Sequence, residues 1–434
     1  MIQPLSPVPN VSYACPSCAQ DLTVVSWYMP GMWCLARLKC RFGHGEFYGV
    51  LAEGHGLYAP ALIDAADGCL VQADKSRYSI WFAEWLKDAF RTRGCQETPL
   101  RIRRLRSLRA KPLVVNCLDS CYGHSLPKLL SVQYYLEHYP DYDLIVILPR
   151  CLEWLIPDGV AEAWISDGPL DGLRAWDDAL ARRFSDLVSQ WPEAWIAACP
   201  AGVHCTEFEI QRFTRVEPFD VSAFAADENP KVTFIWRDDR FAFSERSAIR
   251  RTWLRVLQRM APEWSRRVRV RLQLEYVNQI GKALRSRLPA LDFAVVGMGV
   301  RGAGLAGWIT DMRSLVLEED TERAWCDRYA QSHIVIGVHG SNMLLPSAHA
   351  GAVLTLMPNG YPLYLCFTDT ILNGRGALHP TMSTLLRYKT VPLGTNADTI
   401  AEWVMATLQA FPALTRIWTL PACQTAEHVS CSFL

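Results

Sequence analysis

Residues 333–358, HIVIGVHGSNMLLPSAHAGAVLTLMP, decide the fold class because they contain one complete strand–turn–helix–strand unit. The β-branched run Ile334-Val335-Ile336 predicts a buried strand, and a second apolar run follows Gly351. Two parallel strands joined by a helix are the repeating unit of an α/β sheet. The stretch therefore predicts a parallel sheet with helices packed on its faces.

The turn Val338-His339-Gly340-Ser341-Asn342 inside this unit is the first candidate site. Gly340 would let a ligand approach the backbone closely. Ser341 or Asn342 would be the N-cap of the helix, which leaves the N–H groups of its first turn for an anion such as a diphosphate. Ligands of open α/β sheets bind beyond the carboxyl ends of the strands, where this turn lies. A plain strand-to-helix turn with a buried histidine is the alternative.

The same alternation of strands and helices extends upstream, and a poorly periodic stretch with two prolines, residues 217–230, interrupts it as a linker would. The residues before about position 93 are rich in cysteine, glycine and aromatic residues and predict a small β-rich module with a helix at its end. The predicted strands are 113–118, 144–148, 195–198, 232–236, 268–274, 293–296 and 333–338, and the predicted helices are 126–139, 170–191, 246–260, 277–288 and 322–331.

Two further polar groups follow predicted strands. Arg237 and Arg240 follow strand 232–236, and their guanidinium groups suit the binding of a diphosphate, although Asp238 and Asp239 could simply neutralise them in a solvent loop. Asp119 and His124 follow strand 113–118. Either could take a proton from a hydroxyl group, whereas the alternative is a helix cap with a histidine packed nearby.

The three groups together carry a family resemblance. The segments Tyr122-Gly123-His124-Ser125-Leu126-Pro127-Lys128-Leu129, WRDDR at residues 236–240 and IVIGVHGSNMLLPSAHAGAVLTLMP at residues 334–358 resemble the pattern of glycosyltransferase family sixty-one. The resemblance implies a GT-B-like pair of α/β domains, a nucleotide-sugar donor and inversion without a required metal. It implies that His339, Gly340 and Ser341 contact the donor, that Arg237 contacts its diphosphate, and that His124 lies near the acceptor.

The predicted fold class is accordingly α/β, with two Rossmann-like domains in a GT-B-like pair behind a small β-rich module. The expected boundaries are 1–95 for a zinc-ribbon-like module, 112–225 for an acceptor domain and 230–420 for a nucleotide-sugar domain. His124 or Asp119 would deprotonate a hydroxyl of a glycan, lipid-linked or protein acceptor, while Arg237, Arg240 and the 339–342 turn hold the donor. The alternative is a non-catalytic glycan- or nucleotide-binding module whose zinc ribbon recruits a partner.

The N-terminal module carries a metal-binding pattern. Cys15-Pro16-Ser17-Cys18 is followed, after 21 residues, by Cys40 and then by His44. Three thiolates and one imidazole can close a tetrahedral zinc site, and four protein ligands make such a site structural. Cys34 competes for a ligand role, and scattered free cysteines are the alternative. No catalytic metal is expected, because Asp141-Tyr142-Asp143 precedes a strand and therefore reads as a turn.

Composition limits the partners. Lys plus Arg equals Asp plus Glu at 44 each, so no overall positive field attracts nucleic acid, and no nucleic-acid partner is expected. The chain has neither a signal-like start nor an apolar run of about 18 residues, which predicts a cytoplasmic protein. The composition of the basic segment Arg101–Lys111 predicts a solvated linker or helix face. Its alternative is a strip for anionic lipid or an acceptor, with peripheral contact to the inner face of the membrane.

Overall fold

The computed structural model of the 434-residue chain describes residues 2–73, 75–94, 97–109, 111–199, 208–220, 229–243, 248–302, 304–358, 371 and 387–418. The chain forms two compact units, Met1–Phe213 and Thr214–Leu434. Each unit contains a six-stranded sheet whose central strands are parallel. Within the described ranges, no helix is both long enough and apolar enough to cross a bilayer.

The first unit contains a β-rich module, which follows a first strand, Ile2–Ser6, that belongs to the other sheet of the unit. The module's five antiparallel strands are neighbours in chain order and are followed by a helix whose N-cap Ser76 accepts a hydrogen bond from the Ser79 N–H. The structure thus confirms a β-rich module that ends in a helix. The elements are β2 (Thr23–Tyr28), β3 (Leu35–Lys39), β4 (Glu46–Val50), β5 (Ala61–Asp64), β6 (Leu70–Ala73) and α1 (Arg77–Arg91).

A parallel sheet forms the rest of the first unit, in the order β1-β11-β8-β9-β10-β7 with the two outermost strands antiparallel. Every residue of β8, β9 and β10 is buried, as expected for parallel strands covered on both faces. The elements are β1 (Ile2–Ser6), β7 (Leu100–Arg104), β8 (Pro112–Asn116), α2 (Tyr122–Leu130), α3 (Val132–His138), β9 (Asp143–Pro149), β10 (Glu162–Ser166), α4 (Asp178–Val188), β11 (Ala194–Ala197) and α5 (Gln211–Thr214).

The module and the parallel sheet share one hydrophobic core. The indole N–H of Trp33 donates to the carbonyl of Arg174 (2.8 Å), and the hydroxyl of Tyr28 donates to Asp178 (2.5 Å). The ring of Trp176 packs against that of Tyr28, with centroids 5.7 Å apart. The antiparallel strands are therefore fixed on the parallel sheet by buried aromatic side chains.

The second unit is a sheet of six parallel strands in the order β14-β13-β12-β15-β16-β17. Numbered along the chain, this is the 3-2-1-4-5-6 order of a Rossmann fold, which confirms the predicted α/β class. The elements are β12 (Lys231–Trp236), α6 (Ala248–Met260), α7 (Pro262–Arg287), β13 (Asp292–Met298), β14 (Thr310–Ser314), α8 (Glu319–Gln331), β15 (Ile334–Val338), α9 (Leu344–His349), β16 (Ala352–Met357), β17 (Tyr388–Pro392) and α10 (Ala397–Trp418).

The predicted strand 268–274 is wrong, because those residues belong to the 26-residue helix α7. Alternation of valine or leucine with arginine suggested a strand there. The helix instead buries Gln273, Tyr276, Val277 and Ile280, which have helical spacing and pack on the sheet. The sequence analysis also missed strands β10 and β14, and the predicted helix 126–139 is divided at Ser131 into α2 and α3.

The basic segment Arg101–Lys111 is neither a linker nor a helix face, because it contains most of edge strand β7. Its arginines pair with carboxylates of the same unit. Arg101 and Arg103 contact Glu153 at 2.6 and 3.0 Å, and Arg104 contacts Glu162 at 3.3 Å. The segment is therefore largely neutralised.

Arg387 provides a test of the second unit's packing. Its guanidinium is fully buried and donates to the carbonyls of Ala350 (2.7 Å) and Gly351 (2.9 Å), just after α9. In Arg387→Met these buried carbonyls lose charged donors, so we expect the free energy of unfolding to fall by about 3 kcal/mol. Urea unfolding monitored by circular dichroism measures the change. Arg271→Met, at a side chain that is 83% exposed, is the control and should stay within about 0.5 kcal/mol of wild type. Equal stability of the two variants would contradict the prediction.

Candidate functional site

The first candidate site lies at the carboxyl end of β8. The parallel strands β10, β9, β8 and β11 are neighbours in that order, which is 3-2-1-4 along the chain. The strand order therefore reverses between β8 and β11. Ligands of α/β sheets bind at such a topological switch point. The loop that follows β8 contains Asp119 and leads into α2, whose first turns carry His124.

Asp119 and His124, which the sequence proposed together, are in contact. Nδ1 of His124 lies 3.2 Å from one carboxylate oxygen of Asp119, which also accepts the backbone N–H of Cys121 (3.0 Å). Because a carboxylate only accepts hydrogen bonds, Nδ1 carries the proton and Nε2 keeps the lone pair in neutral His124. Asp119 is fully buried, whereas the side chain of His124 is 31% exposed. His124 is thus the member of the pair that a substrate can reach.

The sequence analysis missed a third member, His55. It lies on the short 3-10 turn Gly54–Leu57 of the β-rich module, and its Nε2 is 3.0 Å from the second oxygen of Asp119. Its Nδ1 contacts the hydroxyl of Tyr78, and its ring meets that of His124 edge-on at 4.7 Å. The only sequence signal was the Gly54-His55-Gly56 triplet, in which glycines flank the histidine as they do in Gly43-His44-Gly45.

The charges around Asp119 explain its protonation state. Burial alone would raise the pKa of Asp119, but the hydrogen bonds from His124 and His55 outweigh burial and hold that pKa well below its usual range. Burial lowers the pKa of His55, so this ring is neutral at pH 7. The buried ammonium of Lys128 lies 3.4 Å from Glu53. Burial would lower the pKa of Lys128, but the charges of Glu53 and Asp119 outweigh burial and raise that pKa, so the ammonium stays charged. Asp119 is accordingly a fixed anion behind His124.

The same three residues, His55, Asp119 and His124, also have the spacing of metal ligands. Their ligand atoms lie within 4.8 Å of one another, so the three residues could hold a metal ion. The hydrogen-bonded arrangement uses both oxygens of Asp119, one for each ring. It therefore accounts for all three side chains without an ion.

A separate cluster brings together the four predicted N-terminal ligands, Cys15, Cys18, Cys40 and His44, within 4.8 Å of one another. Sγ of Cys18 and Cys40 are 3.8 Å apart, and Nδ1 of His44 is 3.5 Å from Sγ of Cys40 and 3.7 Å from Sγ of Cys15. Tetrahedral bonding to one zinc ion separates such atoms by roughly 3.5–3.8 Å, given Zn–S of about 2.3 Å and Zn–N of about 2.0 Å. The spacing fits a structural zinc site.

Cys34, the competing ligand, lies elsewhere. Its sulfur is 3.1 Å from Nδ2 of Asn116 at the end of β8. The two ligand pairs come instead from the turn after Cys15, where the Ala19 N–H bonds to the Cys15 carbonyl, and from the turn between β3 and β4. In the second turn Gly43 has φ +79°, a conformation that favours glycine.

The second unit brings its predicted residues together in the same way. Its Rossmann order places the point of divergence between β12 and β15, and Arg237, Arg240 and the 339–342 turn follow those two strands. Nη1 of Arg237 donates to Oδ1 of Asn342 (2.6 Å), and Arg240 donates to the carbonyl of His339 (3.1 Å). Arg237 also pairs with Asp239, with a 2.7 Å hydrogen bond from its Nε.

Glycine is favoured at position 340 because its φ of +148° is rarely adopted by residues with a Cβ, and a Cβ would also displace the guanidinium of Arg237. The predicted N-cap role of Ser341 or Asn342 is wrong. Gly340 precedes a 3-10 turn, Ser341–Met343, and the α-helix after it has only six residues and no side-chain cap. Because so short a helix has a weak dipole, the positive charge here comes from Arg240 and from Arg237, which Asp239 partly neutralises. Nδ2 of Asn342 is buried without a hydrogen-bond partner in the described part of the chain.

A cleft of about 600 Å³ lies in the same unit, at the carboxyl ends of β13 and β14. Its lining includes Gly299, Arg301, Arg313, Ser314 and Trp325. The guanidinium of Arg313 stacks over the ring of Trp236, 4.7 Å from its centroid, and Trp236 immediately precedes Arg237. The cleft and the arginine site thus adjoin the same strand.

Comparison with known proteins gives only a distant structural likeness. No family model and no curated protein matches the chain. Among solved structures, ADP-heptose LPS heptosyltransferase II of E. coli is 9% identical with a TM-score of 0.37, covering 69% of this chain and 99% of its own. The iron-containing dodecameric glycosyltransferase TibC of enterotoxigenic E. coli is 9% identical with a TM-score of 0.32, covering 92% and 97%. These values are too low to assign a family.

The lowered pKa of His55 predicts a pH effect on stability. Folded His55 binds a proton less readily than unfolded His55, whose pKa is about 6.5, so stability is lost as the pH falls below that value. His55→Gln removes the titrating group and keeps an N–H for Asp119. We expect the free energy of unfolding to decline less steeply between pH 7 and pH 5 in this variant, measured by urea unfolding. Exposed His138→Gln should keep the wild-type slope, and identical slopes for all three proteins would contradict the prediction.

Proposed function

We propose that this protein is a glycosyltransferase that moves a sugar from a nucleotide-sugar donor to a hydroxyl group, with inversion and without a catalytic metal. The observation that carries the proposal is the His124–Asp119 pair, in which a partly exposed imidazole is backed by a buried carboxylate at the ligand edge of a Rossmann-like sheet. This pairing is suited to removing a proton from a hydroxyl.

The proposed reaction is a single displacement. Nε2 of His124 takes the proton of the acceptor hydroxyl while the hydroxyl oxygen bonds to the anomeric carbon of the donor. The bond from that carbon to the diphosphate oxygen breaks, and the nucleoside diphosphate leaves with the bonding electrons. Asp119 stabilises the imidazolium that forms, as a buried carboxylate does behind a catalytic histidine. Asp119 itself is fully buried and has both oxygens engaged, which makes it the positioning residue and His124 the base.

Donor binding is proposed for the second unit. Arg237 and Arg240 offer the guanidinium groups that suit a diphosphate and the negative charge that develops on it. Gly340 keeps the backbone close to Arg237, and Nδ2 of Asn342 offers a hydrogen-bond donor that has no partner among the described residues. The cleft at β13 and β14 has room for a nucleoside, and in this strand order the ribose binds near the end of the second strand.

For the N-terminal cluster we propose a structural zinc ion. With Cys15, Cys18, Cys40 and His44 as ligands the coordination is complete, so no position is open for chemistry. Strand β4 follows the turn with Cys40 and His44 and leads to the turn with His55. The zinc would therefore support the fold that presents His55 to Asp119, and no step of the reaction passes through it.

The transfer reaction predicts distinct effects for three variants. His124→Ala should lower kcat by about 10²- to 10⁴-fold because the base is lost. Arg237→Ala should lower kcat and raise KM for the donor, whereas His138→Ala is the control and should match wild type. The assay follows nucleoside diphosphate release from a panel of UDP-, GDP-, ADP- and dTDP-sugars.

Failure to bind or turn over any donor would refute this function, and full activity in His124→Ala would refute the base. Binding without turnover in wild type would favour the alternative, a non-catalytic nucleotide- or glycan-binding module.

The zinc proposal has its own test. Metal analysis of protein purified without added zinc should find about one zinc ion per chain. Cys15→Ser should lose the metal, whereas Cys69→Ser should retain it, because Cys69 is exposed and is not one of the four clustered ligands. Absence of zinc from a folded wild-type protein would exclude the assignment.

A further inference from the structure

The helices α6 and α7 contain a concentration of positive charge. Residues 248–271 include eight arginines and one acidic residue, Glu263, which gives 8 − 1 = +7 in a protein whose formal net charge is zero. Such a concentration of arginine attracts an anionic partner. None of the candidate sites described above uses these residues.

Apolar side chains are exposed on the same surface. Trp253, Val256 and Met260 are spaced by three and four residues on α6, so they share one helix face, and they are 49%, 48% and 81% exposed. Trp264, in the first turn of α7, is 51% exposed, and its ring lies 6.0 Å from that of Trp253. We call these four residues together with Arg259 and Arg267 the docking face.

Two arginines of the docking face are available to a partner. Arg266 and Arg271 are engaged with Asp238 and Glu275, but Arg259 and Arg267 are exposed and have no ion-pair partner among the residues that the structure describes. The other basic segment of the chain, around Arg101, is largely neutralised by carboxylates, and its described residues include no comparable row of exposed aromatic side chains. Unpaired cations and exposed tryptophans thus coincide at the docking face.

We propose that the docking face binds the surface of a lipid bilayer rich in anionic headgroups. An amphipathic helix with arginine beside tryptophan and aliphatic residues lies in the interface of such a bilayer, with its apolar side chains among the upper acyl groups. Tryptophan prefers this interfacial depth. Val256 and Met260 favour lipid over nucleic acid, because they add apolar insertion and cannot stack on bases as aromatic rings do. The binding is independent of sugar transfer, so each can be tested without the other.

The test is flotation of the full chain with vesicles of phosphatidylcholine alone or with phosphatidylglycerol at a ratio of 7:3. Wild type should bind the anionic vesicles at least about tenfold more strongly, and less at high salt. Arg259→Glu with Arg267→Glu should weaken binding by more than about tenfold, since each arginine near an anionic surface contributes roughly fivefold. Trp253→Ser with Trp264→Ser should weaken binding to both kinds of vesicle.

Two control variants match these changes elsewhere on the surface. Arg182→Glu with Arg183→Glu alters the same charge on exposed residues of α4, and Trp403→Ser removes a tryptophan of α10 that is 41% exposed. Both should bind like wild type, and circular dichroism should show that all variants are folded.

Several results would overturn the proposal. These are no flotation of wild type, equal binding to neutral and anionic vesicles, or equal losses in the control variants. A dimer in light scattering that Trp253→Ser with Trp264→Ser abolishes would show that a second copy of the chain covers the face. Displacement from vesicles by single-stranded RNA at lower concentration than by anionic lipid would assign the face to nucleic acid instead.

Discussion

The buried carboxylate of Asp119 is the constraint on which the first unit depends. A buried charge needs nearly complete hydrogen bonding, and Asp119 obtains it from two histidine rings and one backbone N–H. The ring of His124 lies on helix α2, which follows β8 of the parallel sheet, whereas the ring of His55 belongs to the antiparallel module. The two parts of the unit must therefore pack together for the charge to be stable. The shared core around Trp33 and Trp176 provides that packing.

The two units use one structural principle with opposite charges. In each, a first parallel strand has the second strand on one side and the fourth on the other, so the loops that follow it open at the ligand edge. In the first unit that edge carries an anion behind the imidazole of His124, which suits the removal of a proton. In the second unit it carries two arginines around Gly340, which suits the binding of an anion. A transferase of the proposed kind needs both properties.

Much of this was predictable because it is local. Uninterrupted β-branched runs predicted β8, β9, β12 and β15, and polar residues just after such runs predicted which side chains would meet. The cysteine and histidine spacing similarly predicted the N-terminal cluster. The errors arose where local patterns are ambiguous. Alternation of arginine with valine in residues 268–274 fits a strand, and only packing against the sheet selects the helix.

The sequence by itself determined the α/β class, the positions of Asp119, His124, Arg237 and the 339–342 turn at strand ends, and the metal-ligand spacing, since all of these follow from periodicity and short-range geometry. Only the tertiary structure brought His55 to Asp119 across 64 residues, paired the arginines of the 101–111 segment with carboxylates, and left those of α6 and α7 beside exposed tryptophans. The physical reason is that burial and ion pairing depend on which surfaces meet in three dimensions, and no local pattern records that information.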